Sequence, residues 1–263
     1  MKKTLIALAV AASAVVSGSA MAAWVAEGSG GNFELGGTLT PLKTVNPWEV
    51  QVGAAVTNLD AQILKGQTVV DIVLTKPIPV LGIRTKTNQP FQGGPNISPQ
   101  ISYGNAINPD AFSNSEVPFT LDVKNSAGTE KIGVLTTSLL AGAEYSFVTP
   151  RGHNGNAVIL GAQVGNAFYG GLPKESAQSL NNPFPRIAAI SSEFAAKYND
   201  QGTTRVSGIF SSWDFRTPVD KYSAYYGSGI EAGKTIKITL VKPASGNESI
   251  PWKATLPITV SYA

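Results

Sequence analysis

The chain has 263 residues, of which 14% are charged and 43% hydrophobic, with 20 Lys and Arg against 17 Asp and Glu. That is long enough to bury a sizeable core and too apolar for a disordered chain. Cys is absent, which excludes disulfides, thiolate zinc sites and cysteine nucleophiles, and a single histidine, His153, excludes a multi-histidine metal centre. With 27 Gly and 17 Pro but only two Met, the composition points to many turns and short strands.

Residues 1–22 read as a secretory signal. Lys2 and Lys3 form the positive end, Leu5–Val16 the short apolar run, and Ala20-Met21-Ala22 a cleavage site. Removing the two lysines lowers the formal net charge from +3 to +1, so charge gives no reason to expect a nucleic-acid partner. No second apolar run approaches the length of a membrane-spanning helix. Few segments alternate over the length that an outer-membrane barrel strand needs.

The next segment, Ala23–Lys43, carries Phe33, Leu35 and Leu39 in alternation with polar residues, with Gly37 in the apolar register. Glycines 28, 30, 31, 36 and 37 make it a poor strand on its own. Two readings fit: an ordinary first strand, or a strand kept for another chain, which would bind by adding to the edge of a partner's sheet. Fully extended, Trp24–Thr40 would reach about 55 Å at about 3.3 Å per residue, far beyond one ordinary strand.

Farther along, Val69–Leu74 is a dense β-branched run. Val117–Lys124 alternates, Asn125–Thr129 reads as a turn, and Lys131–Leu140 as the return strand of a hairpin. Between Pro150 and Arg205 the rhythm changes. Ile187, Ile190, Phe194 and Tyr198 fall on one helical face after Asn182-Pro183-Phe184-Pro185, with Gly202 just past the end. This predicts a helix within an insertion at about 150–205. Thr235–Val241 is a further strand. The last is Ala254–Tyr262, with Leu256, Ile258, Val260 and Tyr262 on one face and Pro257 on the other. An apolar strand there, with no strand after it, would leave an open edge and a groove. A spare strand in front and a missing one behind give a head-to-tail contact that does not close, and hence a filament.

Other motifs point elsewhere only weakly. Gly227–Thr235 (GSGIEAGKT) resembles a phosphate-binding loop, but Ser228 stands where the first glycine is required and a strand follows where a helix is needed. A glycine-rich turn is the expected structure. Asn96–Ser98 and Asn247–Ser249 match glycosylation acceptors, which a bacterial export signal turns into plain loop residues. His153 reads as a surface-loop residue. Asp200, Asp214 and Asp220 lie near aromatic residues, but nothing in their spacing fixes a pair for glycan hydrolysis. No enzymatic activity and no cofactor or metal are expected. A carbohydrate site would need flat aromatic faces with a few polar groups around them. Tyr169, Lys174, Tyr198, Trp213 and Arg216 are the receptor-binding candidates, with core packing as the competing reading of each aromatic.

Several segments resemble a known family: GNFELGGTLT (Gly31–Thr40), VKNSAGT (Val123–Thr129), AFYGGL (Ala167–Leu172), YGSGIEAGKTI (Tyr226–Ile236) and PITVSYA (Pro257–Ala263). In their order they are similar to the major subunits, or adhesins, of enterobacterial chaperone–usher fimbriae of the FaeG/ClpG type. The resemblance implies an all-β, incomplete immunoglobulin-like sandwich completed by a donor strand, with an inserted region containing short helices. It divides the chain into a signal peptide (1–22), a donor-strand extension (23–40) and a pilin domain (41–263). It gives Phe33, Leu35 and Leu39 the donor-strand role. Leu256, Ile258, Val260 and Tyr262 become the strand that the periplasmic chaperone reads. Implied partners are identical subunits in a head-to-tail polymer, the chaperone, an outer-membrane usher and a host glycan receptor, with export through the periplasm to the surface fimbria. The rival reading is a monomeric secreted carbohydrate-binding module.

Overall fold

The structure, a computed structural model, describes residues 35–39, 45–205 and 207–263. The signal segment 1–22 and Phe33 lie outside them. The chain divides into two units after Leu42. In the first, residues 35–39 have no regular secondary structure, and Leu35 and Leu39 are exposed.

The second unit carries thirteen strands among the described residues: β1 (Trp48–Val52), β2 (Val69–Val73), β3 (Ile78–Thr85), β4 (Phe91–Gln92), β5 (Pro99–Ser102), β6 (Glu116–Asn125), β7 (Lys131–Val148), β8 (Asn154–Ile159), β9 (Phe210–Ser211), β10 (Lys221–Ile230), β11 (Thr235–Leu240), β12 (Trp252–Ala254) and β13 (Thr259–Tyr262). The only α-helix described is α1 (Phe184–Ile190), and 3-10 turns occupy Pro109–Ala111, Ser176–Gln178 and Ser192–Ala195. The architecture is that of an all-β sandwich, as expected.

The predicted β6–β7 hairpin is present, with Val117 opposite Leu139 and Leu121 opposite Leu135. β7 is 18 residues long and pairs with four strands. Its first half lies between β6 and β11, and its second half between β10 and β8. β2 forms one outer strand, beside β11, and β1 another, beside β3. A separate two-stranded sheet joins β13 to β5.

Both faces of the second half of β7 are buried. Leu139, Ala141, Ala143 and Tyr145 enter the main core, together with Trp48, Ile83, Phe168 and Tyr226. Leu140 enters a second cluster, built with Ile187, Ile190, Phe194 and Tyr225, under the helical segment. That segment rests on a row of glycines. Gly82, Gly227 and Gly142 are direct neighbours across β3, β10 and β7. A Cβ at Gly82 would lie 2.2 Å from the Phe194 ring, and one at Gly142 would lie 2.6 Å from Pro183. The missing side chains are what let the helix settle onto the sheet.

Three expectations are corrected. The helical face from Ile187 to Tyr198 is not one helix: α1 stops at Ile190, Ser191 is extended (φ −157°, ψ 118°), and a 3-10 turn follows. The Ser191-Ser192 pair favours a break, since serine side chains compete for nearby backbone bonds. The final strand is likewise two strands, β12 and β13, and residues 255–258 between them belong to neither. Pro257 has no N–H to give to a ladder there. Finally, Gly227–Ile230 is not turn but the end of β10, and only residues 231–234 turn, with Gly233 at φ 81°. β11 follows directly, so no helix points amides at a phosphate.

Candidate functional site: an open apolar groove

The second unit contains a groove of about 1240 Å³. Close-packed interiors leave few voids larger than a water molecule, so a space of this size is an opening in the core. One wall comes from the inward positions of β2 and β11: Val70, Ile72, Ile236 and Ile238. The other comes from Phe119, Leu121 and Leu135 on the β6–β7 hairpin. Period-two alternation places these side chains, because the intervening positions (Asp71, Lys237, Thr120) face outward.

Two segments outside any strand run along the groove. One is residues 53–65; the other comprises residues 244–251 and 255–258, on either side of β12. Leu256 and Ile258 line it from the second segment and are half-buried. Among the described residues, β12 pairs only with β6 and β13 only with β5, so each has a described strand along one edge. The groove is therefore apolar inside and bordered by backbone that is outside the sheet ladders. In strand addition generally, an extended peptide pairs with free edge backbone while its alternate side chains fill apolar pockets.

A second polar cluster lies under the helical segment. Glu144 points to the same face of β7 as Gly142 and is buried beneath α1. Burial pushes its carboxyl up, against the opposing pull of Arg205, whose Nε is 3.8 Å away. The Arg205 guanidinium lies 3.5 Å from the centre of the Phe184 ring and 4.9 Å from that of Tyr198. Burial also pushes the Tyr198 and Tyr225 hydroxyls up, and the Glu144 charge adds to this. On the opposite face, Tyr103 and Tyr226 share a hydrogen bond of 2.8 Å, and burial pushes the Tyr226 hydroxyl up to about 12. These clusters hold the fold. Among the described residues, no group of three or more His, Cys, Asp or Glu could hold a metal ion.

Comparison with known proteins decides the family. The K88 fimbrial family model, described as fimbrial, major and minor subunit, matches residues 1–263. The chain belongs to this fimbrial subunit family. It is 31% identical to the F41 fimbrial protein of Escherichia coli and 31% identical to K88 fimbrial protein AC of the same species, in each case over the whole of both chains. K88 fimbrial protein AD is 30% identical over the same coverage. The resemblance read from the sequence is thus confirmed, and with it a structural fimbrial subunit.

The structure of this fimbrial subunit places the receptor candidates in different surroundings. Trp213 stacks on Tyr145 and Phe147, with centroids 5.9 and 6.4 Å away and planes within 16°. Tyr198 packs edge-on against Tyr225 at 5.4 Å, in the cluster under the helical segment. Trp213 and Tyr198 thus sit in separate clusters. Tyr169 is half-buried, its carbonyl accepting from Ile101 N, and Lys174 ion-pairs with Asp110 at 2.5 Å. Arg216 is exposed, 3.7 Å from Asp214. Sequence reasoning missed Glu144, Arg205 and the groove segment 53–65. For the last, the alternation of Leu59, Ala61 and Ile63 was the available signal.

Proposed function

We propose that this fimbrial subunit polymerises by donor-strand exchange. Residues 23–40 act as the donor extension, and Phe33, Leu35 and Leu39 enter the groove of the neighbouring subunit's pilin domain (41–263). The observation that carries this reading is the open groove itself, apolar within and edged by residues 255–258 outside any strand. The extension has the complementary character: alternating apolar residues, too many glycines for a strand of its own, and two exposed leucines at 35 and 39.

The energetics favour a durable contact. Burying three apolar side chains contributes roughly 1.5–3 kcal/mol each. Each net strand hydrogen bond adds about 0.5–1.5 kcal/mol. Against this stands the ordering of a glycine-rich segment. Before assembly the same groove needs cover. In this reading a periplasmic chaperone supplies it along the C-terminal strand, reading Leu256, Ile258, Val260 and Tyr262. The signal at residues 1–22 directs export to the periplasm, and an outer-membrane usher passes subunits to the surface fimbria. The assembled subunit binds host glycans, with Tyr169, Lys174, Tyr198, Trp213 and Arg216 as contact candidates.

Deleting Trp24–Thr40 tests the assembly step. The expected product is a subunit that still co-purifies one-to-one with the chaperone but forms no filaments. Filaments of ordinary length from that deletion would overturn the reading. A stable lone monomer, independent of any chaperone, would favour the secreted sugar-binding module instead.

A further inference from the structure

The segment along the groove mouth is tethered at both ends and joins no strand between them. At one end Gly53 N donates to Val80 O at 2.9 Å. A Cβ there would lie 1.9 Å from Pro79 O, so only glycine fits. At the other end Gly66, at φ 83°, donates to Ala244 O at 2.9 Å. Residues 54–65 between these tethers join no strand. Most of their side chains are exposed, Val56 by 40% and Leu64 by 70%. Leu59 and Ile63 are the exceptions: both are half-buried and line the groove, and Leu59 packs on the main core. They are four residues apart and so share one face of an extended chain.

We infer that residues 54–65 are a strap that keeps Leu59 and Ile63 in the groove of the unassembled subunit and is displaced when a donor strand enters. This rests on the donor-strand reading above. The two tethers define a closed span that can swing aside without unpairing a ladder. Its half-buried hold on the groove is two aliphatic side chains, the same kind of contact that the donor offers. The strap is therefore a placeholder that an incoming strand outcompetes, and it slows entry until that strand is aligned.

The test uses the full chain and a fluorescently labelled peptide spanning residues 24–40, with association followed by anisotropy. Leu59→Ser combined with Ile63→Ser should speed association about tenfold. Asn58→Ser, at an exposed position of the same segment that does not line the groove, should leave the rate within about twofold of the parent. An unchanged or slower rate in the double variant overturns the strap. Hydrogen exchange of the unaltered chain gives a second reading that does not depend on the variant's folding. Amides of residues 54–65 should exchange faster once peptide is bound, and slower or unchanged exchange overturns the proposal. Absence of peptide binding to every form would instead overturn the donor-strand reading and the strap with it.

Discussion

Gly227 and Phe194 meet in a contact that a side chain at position 227 would obstruct: a Cβ there would lie 2.7 Å from Phe194 Cδ2 and 2.4 Å from Ile187 Cγ2. Gly227 is also the middle of the row shared with Gly82 and Gly142. The helical segment is seated on the sheet by this row.

Gly227→Ala should therefore cost about 1–3 kcal/mol through overpacking. Gly94 has nothing within 4 Å of its missing Cβ, so Gly94→Ala should stay within about 0.5 kcal/mol of the parent. Thermal unfolding of both variants in the same assembly state checks the pair.

Glu144→Gln should stabilise the subunit at neutral pH. The native carboxyl is held above its ordinary 4.5, chiefly by burial, so folding favours its protonated form. Its ionisation costs stability as pH rises from 4.5 through the raised native value, and the cost is absent in acid. The variant's advantage should thus be present at pH 7 and vanish below pH 4.5, as read from denaturation midpoints across pH.

Glu116→Ala should act with the opposite sign. Glu116 accepts from Arg186 Nη2 at 2.6 Å, Lys234 Nζ at 2.6 Å and Ser138 Oγ at 3.0 Å. Burial pushes its carboxyl up, but these bonds outweigh burial and hold it below its ordinary 4.5. The stabilisation is present above pH 4.5 and is lost as pH falls through the lowered native value. Substitution should cost about 1–2 kcal/mol at pH 7, and the gap should close in strong acid.

Trp213→Ala and Arg216→Ala should separate folding from adhesion. Trp213 is one layer of a stack with Tyr145 and Phe147, so its loss should lower stability by about 2–4 kcal/mol. Arg216 is exposed, and its loss should move stability by less than about 0.5 kcal/mol. On a glycan array, Arg216→Ala should reduce binding of the intact subunit about tenfold.

Much of this fold is legible in the sequence because strand alternation is a local signal. The β6–β7 hairpin and β11 can be read from Val117, Phe119, Ile236 and Ile238 alone. The break at Ser191 is less visible, because Phe194 and Tyr198 keep helical spacing while a 3-10 turn takes over the backbone. Gly82 and Gly142 carry no local signal at all. Their role exists only when three strands are placed side by side under Phe194, Ile187 and Pro183. The groove is half legible. Its C-terminal edge shows in Leu256 and Ile258, but its walls combine residues as distant as Val70, Phe119 and Ile238.

The most direct test of the central claim is the structure of the assembled filament by electron cryo-microscopy. Donor-strand exchange predicts an extended segment of the neighbouring subunit, carrying Phe33, Leu35 and Leu39, lying in each groove beside residues 255–258, with the strap at 54–65 moved aside. A filament whose grooves are empty, or filled only by the subunit's own chain, would contradict it.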